Sequence, residues 1–552
     1  MTTAPTPTAP AAPTARGASR RDPEPDTTLR STVATMIRVG WRTNRTGFII
    51  WTLVNVGILL GTALAVAGLY DTPAKIREYA DAVAGGSLYA INGRVEGIDS
   101  LGGVIQDENT FVSSFLAPLI GMTLIARLTR SEEERGRVEL LAARCVHRGS
   151  VPLAAMLLTG AVLVVNAIGM SLGVIAAGVP AGRGVLYAAS LAALSFVFAG
   201  VAVLAAQLVL HTRGVYMVGF GVLLAGYLTR GVGDVSDSWV VWTSPLGWQE
   251  KVAAFGPMRA WALLVPIAIG SGLTAIAVVL ADRRDIGSSV WAGGAGPADA
   301  GSFLRRPVGT AAWLHRPAII GWSAGTIAFA AMFGALTNET VQAIEDNPSL
   351  ADALGAGGRP EDGFLAMVLL YGAIIATAYV VQAIGTLRHE ERAGRVEWAL
   401  ARPVDRLRWL TANIVVIITG LLVLVVSSTA VFGVAAAASL GDAGRIDDLI
   451  GAGLAYLPAE LLVAAIALAA FGAAPRRYAV AWGVVVAVGT IALLGPGLDL
   501  DRWIRDLAPT THVGFPPDGD VEPVALLVMS ALTIGFGAIG LLGFRRRDLP
   551  QH

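Results

Sequence analysis

Residues 132–148 read EEERGRVELLAARCVHR, and residues 390–406 read EERAGRVEWALARPVDR. Set in register, Glu132, Glu133, Gly136, Arg137, Val138 and Glu139 fall on Glu390, Glu391, Gly394, Arg395, Val396 and Glu397. Ala143, Arg144, Val146 and Arg148 then fall on Ala401, Arg402, Val404 and Arg406. Each copy lies between two long apolar segments, so one short charged element recurs, tethered at both ends to a membrane. Glu133 precedes Arg137, and Glu391 precedes Arg395, by four residues, the favourable order for a helical ion pair. Val138 with Leu141, and Val396 with Leu400, are spaced for one face of that helix. A single copy reads as a membrane-proximal helix that solvates itself. Two copies read as a docking site shown twice to a two-fold symmetric partner.

The surrounding composition sets the class. Of 552 residues, 54% are hydrophobic and only 15% charged, with a mean hydropathy of +0.62. A soluble domain carries about a quarter charged residues, so the chain is expected to be an all-α polytopic membrane protein. The one cysteine, Cys145, lies in the first copy where the second has Pro403, which excludes an intrachain disulfide. Lys75 and Lys251 are the only lysines among the basic residues, a bias that with the Ala and Gly load resembles a GC-rich bacterial genome.

Residues 1–28 are rich in Pro, Ala and Thr and bury no core, so a disordered tail is expected there. Arg20-Arg21 is not followed by an apolar stretch, which argues against a cleaved signal peptide. Over 29–46, Leu29, Val33, Met36, Ile37 and Trp41 alternate with Arg30, Arg38, Arg42 and Arg45, the pattern of an interfacial helix with arginines toward lipid phosphates. Apolar runs of about 20 residues place spans near 47–70, 111–129, 151–177, 185–210, 214–230 and 260–281, then 318–336, 363–386, 409–438, 449–471, 478–495 and 523–544. Between them lie polar stretches over 71–110 and 337–362, and a Trp-rich segment, 234–259, that suits an interfacial or re-entrant turn.

The chain thus divides into a tail (1–28), a first transmembrane half (29–282), a linker with a second interfacial helix (283–317) and a second half (318–552). Trp313, Arg316 and Trp322 follow the order of Trp41, Arg45 and Trp51, and Arg545-Arg546-Arg547-Asp548 echoes Arg283-Arg284-Asp285. About twelve spans in two parallel six-helix repeats result, with both charged elements on one side. Arginines collect on that side and acids on the other, among them Glu339, Glu361, Asp362, Asp447 and Asp448. The positive-inside rule then makes the charged elements and both termini cytoplasmic.

Acids followed by G-x-x-E-x-x-x-A-x-P-V-x-R, carried by Glu132 to Arg148 and more completely by Glu390 to Arg406, resemble the ABC-2-type permeases of ATP-binding-cassette exporters. Leu457-Pro458-Ala459, Pro475-Arg476-Arg477, Ala508-Pro509 and the terminal Arg546-Arg547-Asp548-Leu549 are similar to the twelve-span actinobacterial polyketide-antibiotic or multidrug permeases of the tetronasin-resistance type. The resemblance covers roughly residues 30–549. It implies a permease of the bacterial plasma membrane that moves hydrophobic or amphipathic drug-like compounds outward. No G-x-x-x-x-G-K-[ST] loop occurs, so the chain is not expected to hydrolyse ATP by that route. The resemblance implies two copies of a separate ATPase carrying ATP and Mg, and no cofactor on this chain. The contact would fall on Glu132, Glu133, Gly136, Arg137, Glu139, Arg144 and Arg148, with Glu390, Glu391, Gly394, Arg395, Glu397, Arg402 and Arg406.

Inside the membrane, Glu460 stands near the middle of the tenth span, where an unpaired carboxylate is expensive. It reads either as part of a pathway for a cationic or hydrogen-bonding substrate, as a proton site, or as a residue that bonds a neighbouring helix. Its counterpart in the first half is Phe196, and Asn55 is a further polar residue within a span. These three are the candidate substrate-pathway residues, with helix–helix bonding the blander role for Asn55. No metal site and no nucleic-acid partner is expected. A proton- or ion-coupled transporter using Glu460, and a scaffold that carries no substrate, remain as other readings.

Overall fold

Long runs of Val, Leu, Ile and Ala offer the backbone no polar partner but itself, so in hydrocarbon they close into helices. In a computed structural model the described residues are 29–83, 92–142, 147–285, 287–290, 299, 301–345, 359–401, 404–494, 501–519 and 521–548. The tail 1–28 and the site candidates Arg144 and Arg402, with Cys145 and Pro403, lie outside them. The described residues form helices and no strand, and eleven of the helices are long and apolar enough to cross a membrane. The chain divides into two compact units, Met1–Pro73 with Gly93–Gly293, and Ala74–Asn92 with Gly294–His552.

The first unit opens with α1 (Leu29–Leu69); α2 (Pro73–Val83) follows it in sequence and groups with the second unit. Then come α3 (Leu101–Leu128), α4 (Arg130–Glu134), α5 (Arg137–Ala142), α6 (Ser150–Ala176), α7 (Ala181–Leu208), α8 (Thr212–Val235), α9 (Pro245–Glu250) and α10 (Leu264–Arg283). Helix α1 packs along α6, α3 along α7, and α10 against α7. Of their apolar stretches α3 and α7 bury 67% and 72%, α1 and α10 only 22% each, so the first pair is the centre of the unit and the second lies at its outside. At the α7–α10 crossing Gly200 meets Gly270; a Cβ on Gly200 would stand 2.8 Å from the Gly270 Cα, so two bare backbones set the approach.

The second unit runs α11 (Pro307–Ala335), α12 (Thr337–Glu345), α13 (Pro360–Arg392), α14 (Arg395–Leu400), α15 (Arg406–Leu440), α16 (Arg445–Ala455), α17 (Leu457–Ala473), α18 (Ala479–Leu494), α19 (Arg502–Arg505) and α20 (Pro523–Arg546). Its partners recur in the same order: α11 along α15, α13 along α17, α20 against α17. Tyr379, Phe471, Tyr478 and Phe544 fill the centre of one core cluster.

Several boundaries differ from expectation, each for a local reason. The interfacial helix over 29–46 and the first span are one 41-residue helix, because nothing in 43–48 breaks the backbone pattern. The second interfacial helix likewise merges with its span: α11 starts at Pro307, inside the expected linker, where Pro at the first turn lacks only an N–H that has no partner there. Ten residues of the expected polar stretch 71–110 belong to α3, started by Ser100, whose Oγ accepts from the Gly103 N–H at 3.1 Å. Gln106, Asp107, Asn109 and Thr110 are therefore buried, and Asn109 Nδ2 donates to Tyr187 Oη at 3.1 Å. The Trp-rich segment folds into a short 3₁₀ turn, Trp239–Thr243, and α9, capped by Ser244. The tenth span is interrupted at Tyr456, because Pro458 has no N–H for the turn before it. The described part of the eleventh, α18, has 16 residues and rises about 24 Å, less than the roughly 30 Å of hydrocarbon.

Candidate functional site

The two charged elements are built alike. In the first unit α4 continues the line of α3 past Thr129, which caps it by donating from N and Oγ1 to the Ile125 carbonyl at 3.0 and 2.7 Å. In the second unit α13 itself runs on to Arg392. Both then turn at a glycine with left-handed backbone, Gly136 at φ +69° and Gly394 at φ +71°, a conformation any side chain would strain. The turn ends the helix one residue before the arginine, so α5 and α14 set off in a new direction.

That break overturns the expected pairing of Glu133 with Arg137 and of Glu391 with Arg395. Arg137 reaches back to Glu132, with Nε–Oε2 at 2.5 Å, and Arg395 to Glu390, with Nε–Oε2 at 2.7 Å and Nη2–Oε1 at 2.5 Å. These forks span five residues across the turn, which an unbroken helix would not allow. Arg137 and Arg395 remain 44% and 53% exposed, so the forks orient them without hiding them.

Glu133 and Glu391, freed of those partners, have side chains only 7% and 5% exposed and hold the arginine that ends the last helix of their own unit. Arg284 Nη2 lies 2.5 Å from Glu133 Oε1, and Arg547 Nη2 lies 2.6 Å from Glu391 Oε2. The carbonyl of that same arginine accepts from the residue that closes the element: Arg148 Nη1 to Arg284 O at 2.8 Å, and Arg406 Nη1 to Arg547 O at 3.0 Å. Each unit thus ties both ends of its charged element to the end of α10 or α20. The first unit adds Arg130, fully buried, which bonds Glu133 and donates to the Val209 and Ser288 carbonyls at 2.8 and 2.9 Å. Glu134 accepts from Thr212 N and Oγ1 at 2.9 and 2.7 Å, joining α4 to α8. In the second unit the Arg547 guanidinium lies over the Phe471 and Phe544 rings, 5.1 and 5.3 Å from their centroids.

Val138 and Val396 are buried, as their spacing predicts, and Leu400 is half-buried. Glu139 is exposed and Glu397 half-buried. Sequence reasoning missed two features. One is the clamping role of Arg284 and Arg547, signalled only by the echo of the Arg-Arg-Asp ends. The other is Trp398 on α14, 83% exposed and placed where solvent alone does not reward an indole.

The membrane candidates separate. Asn55 is engaged in the α1–α6 pair, its Nδ2 donating to Asn166 Oδ1 at 3.0 Å and to Met170 Sδ at 3.5 Å, a bond between helices. Phe196 is half-buried on α7 and packs where Gly160 and Gly270 leave room. Glu460 stands in the first turn of α17, just past the break, and is fully buried.

The family described as "Multidrug efflux system permease Rv1217c, C-terminal domain" matches residues 304–545. The "Multidrug efflux system permease protein Rv1217c" of Mycobacterium tuberculosis (strain ATCC 25618 / H37Rv) is 32% identical over 542 residues, covering 97% of this chain and 98% of that protein. The match runs through both units and both charged elements, and the apolar helices agree with it: the chain belongs to this family of multidrug efflux permeases, as a multi-pass membrane protein.

Proposed function

We propose that this chain is the membrane subunit of an exporter of the ABC-2 type, close to the tetronasin-resistance permeases, and that it takes its energy from a separate pair of ATPase subunits carrying ATP and Mg. It moves hydrophobic or amphipathic drug-like compounds out across the bacterial plasma membrane, and has no ATPase of its own. Its halves are parallel repeats with α5 and α14 and both termini in the cytoplasm. The observation that carries the reading is the doubled clamp, Glu133–Arg284 with Arg148 and Glu391–Arg547 with Arg406, which couples each charged element to the last span of its unit. An element that only solvated itself would need no buried ion pair to the far end of the unit. One that receives a push needs a stiff link to a span, and the clamp supplies it. The exposed Arg137, Arg395 and Trp398 are the groups such a partner would grip.

The test is co-purification with a co-expressed ATPase. Arg137→Glu combined with Arg395→Glu reverses charge at both grips, at arginines whose side chains are 44% and 53% exposed. The double variant is expected to fold, reach the membrane and lose the ATPase. Retention of the ATPase at the original ratio refutes the docking assignment.

A further inference from the structure

The two charged elements differ at one corner. In the first unit Arg130 bonds Glu133 and the carbonyls of Val209 and Ser288, and Glu134 accepts from Thr212 N and Oγ1. In the second unit the register sets Arg388 on Arg130 and Arg392 on Glu134. With Arg477 set on Arg213, Arg476 falls on Thr212. An acid and a hydroxyl of the first unit are thus replaced by arginines in the second, beside the two arginines that both units share.

Arg388 and Arg392 stand one turn apart at the end of α13, the spacing at which like charges repel. The 3₁₀ turn Pro475–Arg477 abuts that face, where Arg388 Nη2 reaches the Arg476 carbonyl at 3.5 Å. The two acids of the same helix end are committed elsewhere, Glu390 to Arg395 and Glu391 to Arg547. Among the described residues none of the four arginines has an ion pair, and Arg388 Nε is buried with no hydrogen-bond partner. Arg392, Arg476 and Arg477 are exposed. Just beyond them, on α18, Trp482, Val486 and Leu493 share one helix face and are 41%, 65% and 44% exposed. Four guanidinium groups without a carboxylate therefore lead directly into an uncovered apolar strip.

We infer that this corner binds an anionic phospholipid, its phosphate against Arg388, Arg392, Arg476 and Arg477 and an acyl chain along Trp482, Val486 and Leu493. Planar guanidinium forks match phosphate oxygens, and basic pockets between spans take anionic headgroups. A free phosphate ion would use the arginines alone, and the apolar strip beside them is what favours a lipid. The first unit has Glu134 and Thr212 at the corresponding places, so the site belongs to one half only. It stands apart from the proposed ATPase contact at Arg137, Arg395 and Trp398.

The experiment titrates the purified full-length chain, in detergent and without any ATPase, with phosphatidylglycerol and with phosphatidylcholine of the same acyl chains. Bound lipid is read by native mass spectrometry. Phosphatidylglycerol is expected to bind about tenfold more tightly, and Arg392→Gln with Arg476→Gln and Arg477→Gln to remove that preference. As a control, Arg408→Gln with Arg545→Gln and Arg546→Gln takes the same charge from other exposed arginines of the unit and should keep the preference. Arg392→Glu supplies the acid that the first unit has in Glu134, and is expected to close the site on its own. Equal binding of the two lipids overturns the site, and so does equal loss in the two triple variants, which reduces the effect to diffuse surface charge. Displacement of phosphatidylglycerol by equimolar inorganic phosphate overturns the lipid assignment. Should the first triple variant fail to fold, undiminished phosphatidylglycerol binding by Arg392→Glu overturns it. If that triple variant keeps its lipid but loses a co-expressed ATPase, the corner belongs to the ATPase and the inference falls.

Discussion

At the scale of single residues, Asp234 and Glu250 form the other concentration of buried charge. Both point at Gly93, where a Cβ would stand 2.7 Å from Glu250 Oε2 and 3.4 Å from Asp234 Oδ2. Arg230 Nε lies 3.9 Å from Asp234 and Lys251 Nζ lies 3.5 Å from Glu250, a loose neutralisation of two acids. Burial first, and then the charge of Asp234, push the Glu250 carboxyl up to about 8. The folded chain therefore holds a proton that the unfolded chain releases in the ordinary carboxylate range. A raised acid of this kind contributes stability that is complete below the unfolded value and lost as pH rises through the folded one. Thermal stability of the purified protein is expected to fall between about pH 5 and about pH 8, and Glu250→Gln to flatten that slope. An unchanged slope in the variant would assign the proton elsewhere. None of this was legible in the sequence, where Glu250 sits beside TSPLGW as an ordinary polar residue. Its neighbours Gly93 and Asp234 come from other segments of the chain.

At the scale of elements, the clamps divide stability from coupling. Glu391 and Arg547 have side chains only 5% and 16% exposed, and removing one partner of a buried pair leaves the other charge stranded. Arg547→Ala is expected to destabilise the second unit by about 3 kcal/mol. Replacing both, Glu391→Leu with Arg547→Leu, should restore most of that stability, since an apolar pair needs no water. If the clamp transmits force, the double variant still lacks drug-stimulated ATPase activity in the assembled complex. Full stimulation by the stable double variant would reduce the clamp to a structural tie. Helices α5 and α14 were themselves legible, because glutamate, glycine and valine recur at fixed spacing. Their ion pairs were not. Spacing by four predicts Glu133–Arg137 only while the helix continues, and the left-handed Gly136 ends it.

At the scale of the whole molecule, the proposed parallel halves make a topological prediction. With Cys145→Ser as background, Arg135→Cys and Ala393→Cys place thiols at exposed, corresponding points of the two elements. In intact cells both are expected to react with a membrane-permeant maleimide and to resist an impermeant one. Opposite behaviour of the two thiols would rule out parallel halves. The sequence by itself determined that the chain is helical and membrane-embedded, where most of its spans lie, and that one charged motif occurs twice. Those properties are local, being set by hydropathy over about 20 residues and by spacing within one element. Only the tertiary structure decided that Glu133 meets Arg284 across 151 residues and Glu391 meets Arg547 across 156. It alone decided that Asn55 is occupied while Glu460 faces a cavity. Partners of this kind are chosen by how helices cross, and the packing of small and large side chains that sets each crossing leaves no periodic trace in the chain.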